Sequence, residues 1–161
     1  MRMAFGYAAV TTLVGAQIAY FYGQLPDVVA SHFNANGLAN GYMSRAGFLE
    51  FYVGLVVFLV LVFVGVSALV RAVPMEMINL PNKAYWFTGE REASSRAWLS
   101  REVQGFGLVF VAFIAAVMQQ VFVANTTGAR PCLPTTFLLV CLGGVSVAMT
   151  VMTVRMFRRF S

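Results

Sequence analysis

His32 is the chain's one histidine, and Asp27, Asn34 and Asn36 lie close to it in sequence, with Glu50 further on. Those residue types could hold a metal or form a base with an orienting partner. A zinc site asks for three or four protein ligands, and His32 with Asp27 and Glu50 falls short. His32 therefore reads as a hydrogen-bonding group that orients its own loop, open to ligation only by a metal or pigment that a larger assembly supplies. Ser94, Ser95 and Ser100 would need a histidine within hydrogen-bond reach to act as nucleophiles, and none lies in their segment. No G-x-S-x-G, H-E-x-x-H, C-x-x-C or P-loop pattern occurs. Nine methionines and one histidine give no paired haem ligands. The expectation is a protein with no catalytic residues, no metal site and no cofactor of its own.

Two cysteines, Cys132 and Cys141, do not make a disulfide framework. On a helix, nine residues at about 1.5 Å each would hold them about 13 Å apart, whereas bridged Cα atoms lie within about 7 Å. Cys141 reads as a packing residue. Cys132, in a short connection, reads as a free thiol or, less simply, an intermolecular link.

The elements that must position these residues follow from composition. Of 161 residues, 60% are apolar and 11% charged, with a mean hydropathy of +0.77. Soluble domains are about half apolar and about a quarter charged, so one hydrophobic membrane domain over residues 1–161 is expected. The net charge of +5 rests on ten arginines and Lys83. These are too sparse for a nucleic-acid face and instead report orientation and contact with anionic headgroups.

A span needs about 20 mostly apolar residues. Four runs qualify: 3–22, 48–70, 103–124 and 135–154. The first is too long for a signal-peptide core and lacks a small-residue cleavage site before Pro26, so it reads as a retained helix. Arg71 and Pro74 end the second, Asn125 and Gly128 the third, and Arg155, Arg158 and Arg159 the fourth. Arg2, the five basic residues between spans two and three, and the three of the tail fall on one side. Arg45 and Arg130 fall on the other. The positive-inside rule places both termini and the second loop inside, and the first and third loops outside. The expected location is the bacterial cytoplasmic membrane. Tyr20, Tyr22, Tyr85, Trp86 and Trp98 are candidate interfacial anchors.

Small residues four apart (Gly15 and Ala19, Ala112 and Ala116, Gly144 and Ala148) suggest close helix packing within the bundle. Gln17, Gln119 and Gln120 are the strongly polar side chains of the spans, and no ionisable residue sits mid-span, which disfavours a pump or coupled transporter.

The outer loop, 23–47, begins with Pro26 and Asp27, which suit the start of a short helix. Val28, Val29 and Phe33 would give that helix an apolar stripe lying on the membrane surface. Asn36-Gly37 and Asn40-Gly41 read as two turns, and Ser44 as the cap of the second span. In the inner loop, Thr88 is a candidate N-cap with Glu90 and Glu92 in the first turn. Glu92 and Arg96 are spaced as a helical ion pair on a helix that runs into the third span, giving a cytoplasmic helix extension with solvated charges.

These loops resemble a known family. Leu25-Pro26-Asp27 with Val29, His32-Phe33-Asn34, Gly37 with Asn40-Gly41, and Ser44-Arg45 are similar to the outer-loop pattern of the SdpI-like immunity proteins and their N-terminal domain of unknown function. Leu80-Pro81-Asn82-Lys83, Tyr85-Trp86 and Glu90-Arg91 are similar to a second segment of its small members. The likeness covers about residues 1–125, and the last span is generic. The better-known immunity member has more spans. The resemblance implies an all-α, four-span bundle whose outer loop meets a toxin peptide and whose inner side holds a regulator. On that basis Pro26, Asp27, His32, Phe33, Asn34, Gly37, Asn40 and Gly41 are the candidate partner-binding residues. The other reading is an accessory subunit of a respiratory or photosynthetic complex, in contact with lipid, pigment or neighbouring membrane subunits.

Overall fold

The computed structural model describes residues 2–127 and 130–161, so Gly128, read above as ending the third span, lies outside the described residues. Four helices are long and apolar enough to cross a membrane: α1 (Arg2–Phe21), α2 (Arg45–Ala72), α4 (Arg91–Thr126) and α5 (Thr135–Phe160). Between α2 and α4 lie a 3₁₀ turn (Met75–Met77) and a single helical turn, α3 (Lys83–Trp86). The bundle is the expected one, with α2, α4 and α5 longer than their apolar runs. Ser44 caps α2 by accepting a hydrogen bond from the Gly47 amide at 3.1 Å, so the helix starts at Arg45 and not at the first apolar residue. α4 joins the inner-loop helix to the third span without a break, over 36 residues.

The outer loop departs from its reading. In place of a surface helix, β1 (Val28–Phe33) and β2 (Ala39–Ser44) form an antiparallel hairpin. Adjacent β-branched Val28 and Val29 favour extended backbone, and a chain reversal at Asn34–Leu38 lets the strands pair. Pro26 and Asp27 precede a strand, so their helix-start signal is overridden by tertiary pairing. Only the first expected turn exists: Gly37 has φ +78°. Asn40 and Gly41 lie within β2, where the ladder is irregular opposite His32. A Cβ on Gly41 would come within 2.8 Å of the His32 Cβ, so the glycine allows close approach of the strands.

The core is built around α4, which packs against α1, α2 and α5, while α1 and α2 barely meet. Its seam is Gly107, Val111 and Ala115, with the last two at 0% and 1% exposure. A Cβ on Gly107 would overlap the Tyr7 hydroxyl and the Phe63 ring. The expected small-residue pairs do not form this seam: Gly15, Ala19, Ala112 and Gly144 are exposed. Ala112 misses the buried stripe by one position, because 3.6 residues per turn put Val111 and Ala115 on the inward face. Phe122, fully buried, stacks on Phe21 at 4.9 Å and meets Phe48 and Tyr52 edge-on beneath the hairpin.

Several polar groups inside the bundle are paired, as an apolar solvent favours, although the buried Ser95 Oγ and Glu102 Oε2 have no partner among the described residues. Tyr52 donates to Gln17 Oε1 (2.8 Å), and Gln17 Nε2 donates to Gln119 Oε1 (2.9 Å) and the Ala115 carbonyl (3.1 Å). Toward the opposite end, Gln104 donates to Ser67 (2.8 Å), Ser67 and Ser100 share a hydrogen bond (2.7 Å), and Arg71 Nε donates to Ser100 (3.0 Å).

Candidate functional site

The hairpin is fastened to the bundle at three places. At its base, Arg45 donates to the Leu25 carbonyl and to Asp27 Oδ1, both at 3.0 Å, and its guanidinium lies 5.5 Å from the Tyr22 ring centre. Along β1, Asn125 near the end of α4 bonds both backbone groups of Ala30: its Oδ1 accepts from the amide at 2.7 Å and its Nδ2 donates to the carbonyl at 3.0 Å. The same Nδ2 also reaches the Val121 carbonyl at 2.8 Å. At the tip, the Leu133 amide donates to the Gly37 carbonyl at 2.8 Å, and Leu38 bridges to Cys132 in the α4–α5 connection. A side chain at Gly37 would run into the Leu133 carbonyl.

The reversal itself is organised by Asn34. Its side-chain oxygen accepts from the Asn36 and Leu38 amides at 2.9 and 3.1 Å, an Asx-type arrangement that substitutes for backbone partners. His32 is exposed, and its Nδ1 donates to Asn40 Oδ1 across the strands at 2.6 Å. Among the described residues, no three His, Cys, Asp or Glu side chains gather into a metal-binding group.

All eight residues singled out in the sequence therefore fall on one hairpin or its base, in different positions. Asp27, His32, Asn34 and Asn40 are exposed. Phe33 packs against the core and Gly37 is buried, so these two support the hairpin from within. Pro26 is exposed just ahead of β1. Val28 (63% exposed), expected on a helical apolar stripe, is open on a strand, and the sequence gives no signal for the exposed Leu38 (51%) and Tyr42 (58%) of this segment. Leu38 and Tyr42 border a cavity of about 330 Å³ that Arg130 and Pro131 also line. From sequence, Asn125 reads only as a helix stop. A polar residue ending an apolar run gives no sign of a partner 95 positions away.

At the opposite end, Arg96 is held by Glu92 (2.8 Å), as the spacing suggests, and also donates to the Val70 and Val73 carbonyls at 2.9 and 2.8 Å. It thus caps the last turn of α2, whose carbonyls have no partner within the helix. Thr88 does not cap α4; its hydroxyl donates back to the Ala84 carbonyl, and Glu90 precedes the helix without a side-chain cap. Of the candidate anchors, Tyr20, Tyr22 and Tyr85 are exposed. Trp86 and Trp98 are half-buried and pack edge-on to the buried Phe160 ring, in a small second core with Phe87 and Leu99. Both cysteines are free.

A family model described as a domain of unknown function, DUF1648, matches residues 9–56. That stretch takes in most of α1, the whole hairpin and the first turns of α2. No curated protein matches this chain, and no solved structure matches it.

Proposed function

We propose that this chain is a non-catalytic integral membrane protein that binds a peptide or protein partner on its β-hairpin. In this reading it resides in the bacterial cytoplasmic membrane with both termini inside and the hairpin outside. The observation that carries it is the combination of three fastenings with an unfilled apolar surface. Leu38 and Tyr42 are held by these fastenings yet left exposed beside the cavity at Arg130 and Pro131, and Val28 is exposed at the base of β1. A surface ordered beforehand loses little conformational entropy on binding, and an exposed tyrosine is a frequent anchor of such contacts. The resemblance of the loop to SdpI-like proteins supports a toxin-like peptide outside and a regulator inside as the finer version.

The test is a photo-reactive amino acid placed at Tyr42, with Leu61 on the exposed face of α2 as control, irradiated in native membranes. A discrete protein or peptide adduct from position 42 alone is expected. Lipid adducts alone at both positions would remove the proposal.

A second reading, an accessory subunit of a larger membrane complex, is favoured by α5. Leu139, Val140 and Val147 on that helix are 64–68% exposed. Extraction in mild detergent separates the two: co-migration with cofactor-bearing subunits supports the accessory role, and a particle of this chain alone with its peptide supports the first.

A further inference from the structure

Because α1 and α2 both lean on α4, a cleft opens between them on the side away from the core. Three neighbouring cavities occupy it. The mouth, of about 480 Å³, is bordered by Tyr22, Asp27, Ser44, Arg45 and Glu50. The next, of about 530 Å³, shares Tyr22 and Glu50 with the mouth and adds Ile18, Val53 and Gly54. The innermost, of about 210 Å³, shares Ile18 and Val53 and ends at Thr11, Gly15 and Val57. Below Glu50 the walls are almost wholly apolar, and the Thr11 hydroxyl is taken up by the Tyr7 carbonyl at 2.8 Å.

We propose that this cleft seats one phospholipid with a primary ammonium headgroup, its acyl chain between α1 and α2 and its headgroup at the mouth. Length favours a lipid over a helix. From Arg45 to Val57 the cleft follows α2 for about 18 Å at 1.5 Å per residue, close to one leaflet of a hydrocarbon core about 30 Å thick. A transmembrane partner helix would call for apolar contact through both leaflets. Charge selects the headgroup. Arg45 and Asp27 are paired, whereas Glu50 has no ion pair or hydrogen bond among the described residues. The mouth thus carries one cation and two carboxylates. An ammonium beside Glu50 and a phosphate beside Arg45 complement it, while a net-anionic lipid would add like charge. A trimethylated headgroup offers Glu50 no N–H donor. This inference stands apart from the hairpin's partner.

The full chain, purified in detergent and stripped of lipid, is offered equal amounts of phosphatidylethanolamine, phosphatidylcholine and phosphatidylglycerol with identical chains. Native mass spectrometry then reads what is retained. One phosphatidylethanolamine is expected, favoured about tenfold over the others, the scale of one charge-assisted hydrogen bond. Glu50→Gln should equalise the three headgroups without loss of lipid. Gly54→Leu and Gly15→Leu should remove all three lipids, since a Cβ at either glycine meets nothing within 4 Å and its side chain would fill the cleft. Circular dichroism checks that these variants fold, and the exposed Glu50→Gln remains decisive if they do not. Equal retention of the three lipids by the unmodified chain would overturn the proposal. So would retention unaffected by both glycine variants, or a disulfide-linked dimer formed through Gly54→Cys.

Discussion

Asn125 illustrates how much one side chain contributes when it satisfies buried backbone. Ala30 is fully buried, and both its polar groups depend on Asn125. Each buried group left unpaired costs about 1–3 kcal/mol, so Asn125→Ala should raise hydrogen exchange sharply across residues 29–31 while the helices stay protected. Unchanged exchange there would mean that water replaces the clamp. Tyr52 makes an instructive contrast. Its hydroxyl bond to Gln17 lies within the bundle, where such bonds average about 0.6 kcal/mol. Tyr52→Phe should therefore shift thermal unfolding in detergent only slightly, and a large shift would assign the hydroxyl more than a structural role. Neither residue could be weighted from sequence. Their partners lie 95 and 35 positions away, beyond any local pattern.

At the level of elements, what was legible follows from the solvent. Lipid leaves no option but long apolar helices for this chain, so all four could be read directly. The hairpin was harder because a short apolar run such as Val28–Val29 fits a strand or a helix equally well, and Pro26-Asp27 tipped it the wrong way. The turn at Gly37 was readable, since an Asn-Gly pair signals positive φ. Gly37→Val combines strained backbone with overlap on the Leu133 carbonyl. It should free the hairpin tip and expose Asn34–Leu38 to protease, leaving α1–α5 intact. Gly107→Leu should act elsewhere, wedging α4 away from Tyr7 and Phe63. Overpacking of this kind costs about 1–3 kcal/mol and would appear as a lower melting temperature in detergent.

For the molecule as a whole, the arginine distribution makes the orientation testable. In a Cys132→Ser background, Asn36→Cys should react with an impermeant thiol reagent in intact cells and Ser94→Cys should not. The reverse pattern would place the hairpin inside and end the reading of an extracellular partner. The small second core adds that the tail is held, since Phe160 is fully buried among Trp86, Phe87 and Trp98. Finally, the dependence of α1 and α2 on α4 bears on how the protein is made. Both helices, and the hairpin between them, leave the ribosome before α4 exists, and they have little to pack on except each other. Their native burial and the Asn125 clamp wait for a helix that is synthesised later. Before α4 is made, these two spans are thus loosely associated and the loop between them is unfastened. A nascent chain arrested after Ala72 should be degraded rapidly by membrane proteases, whereas one extended through Thr126 should persist.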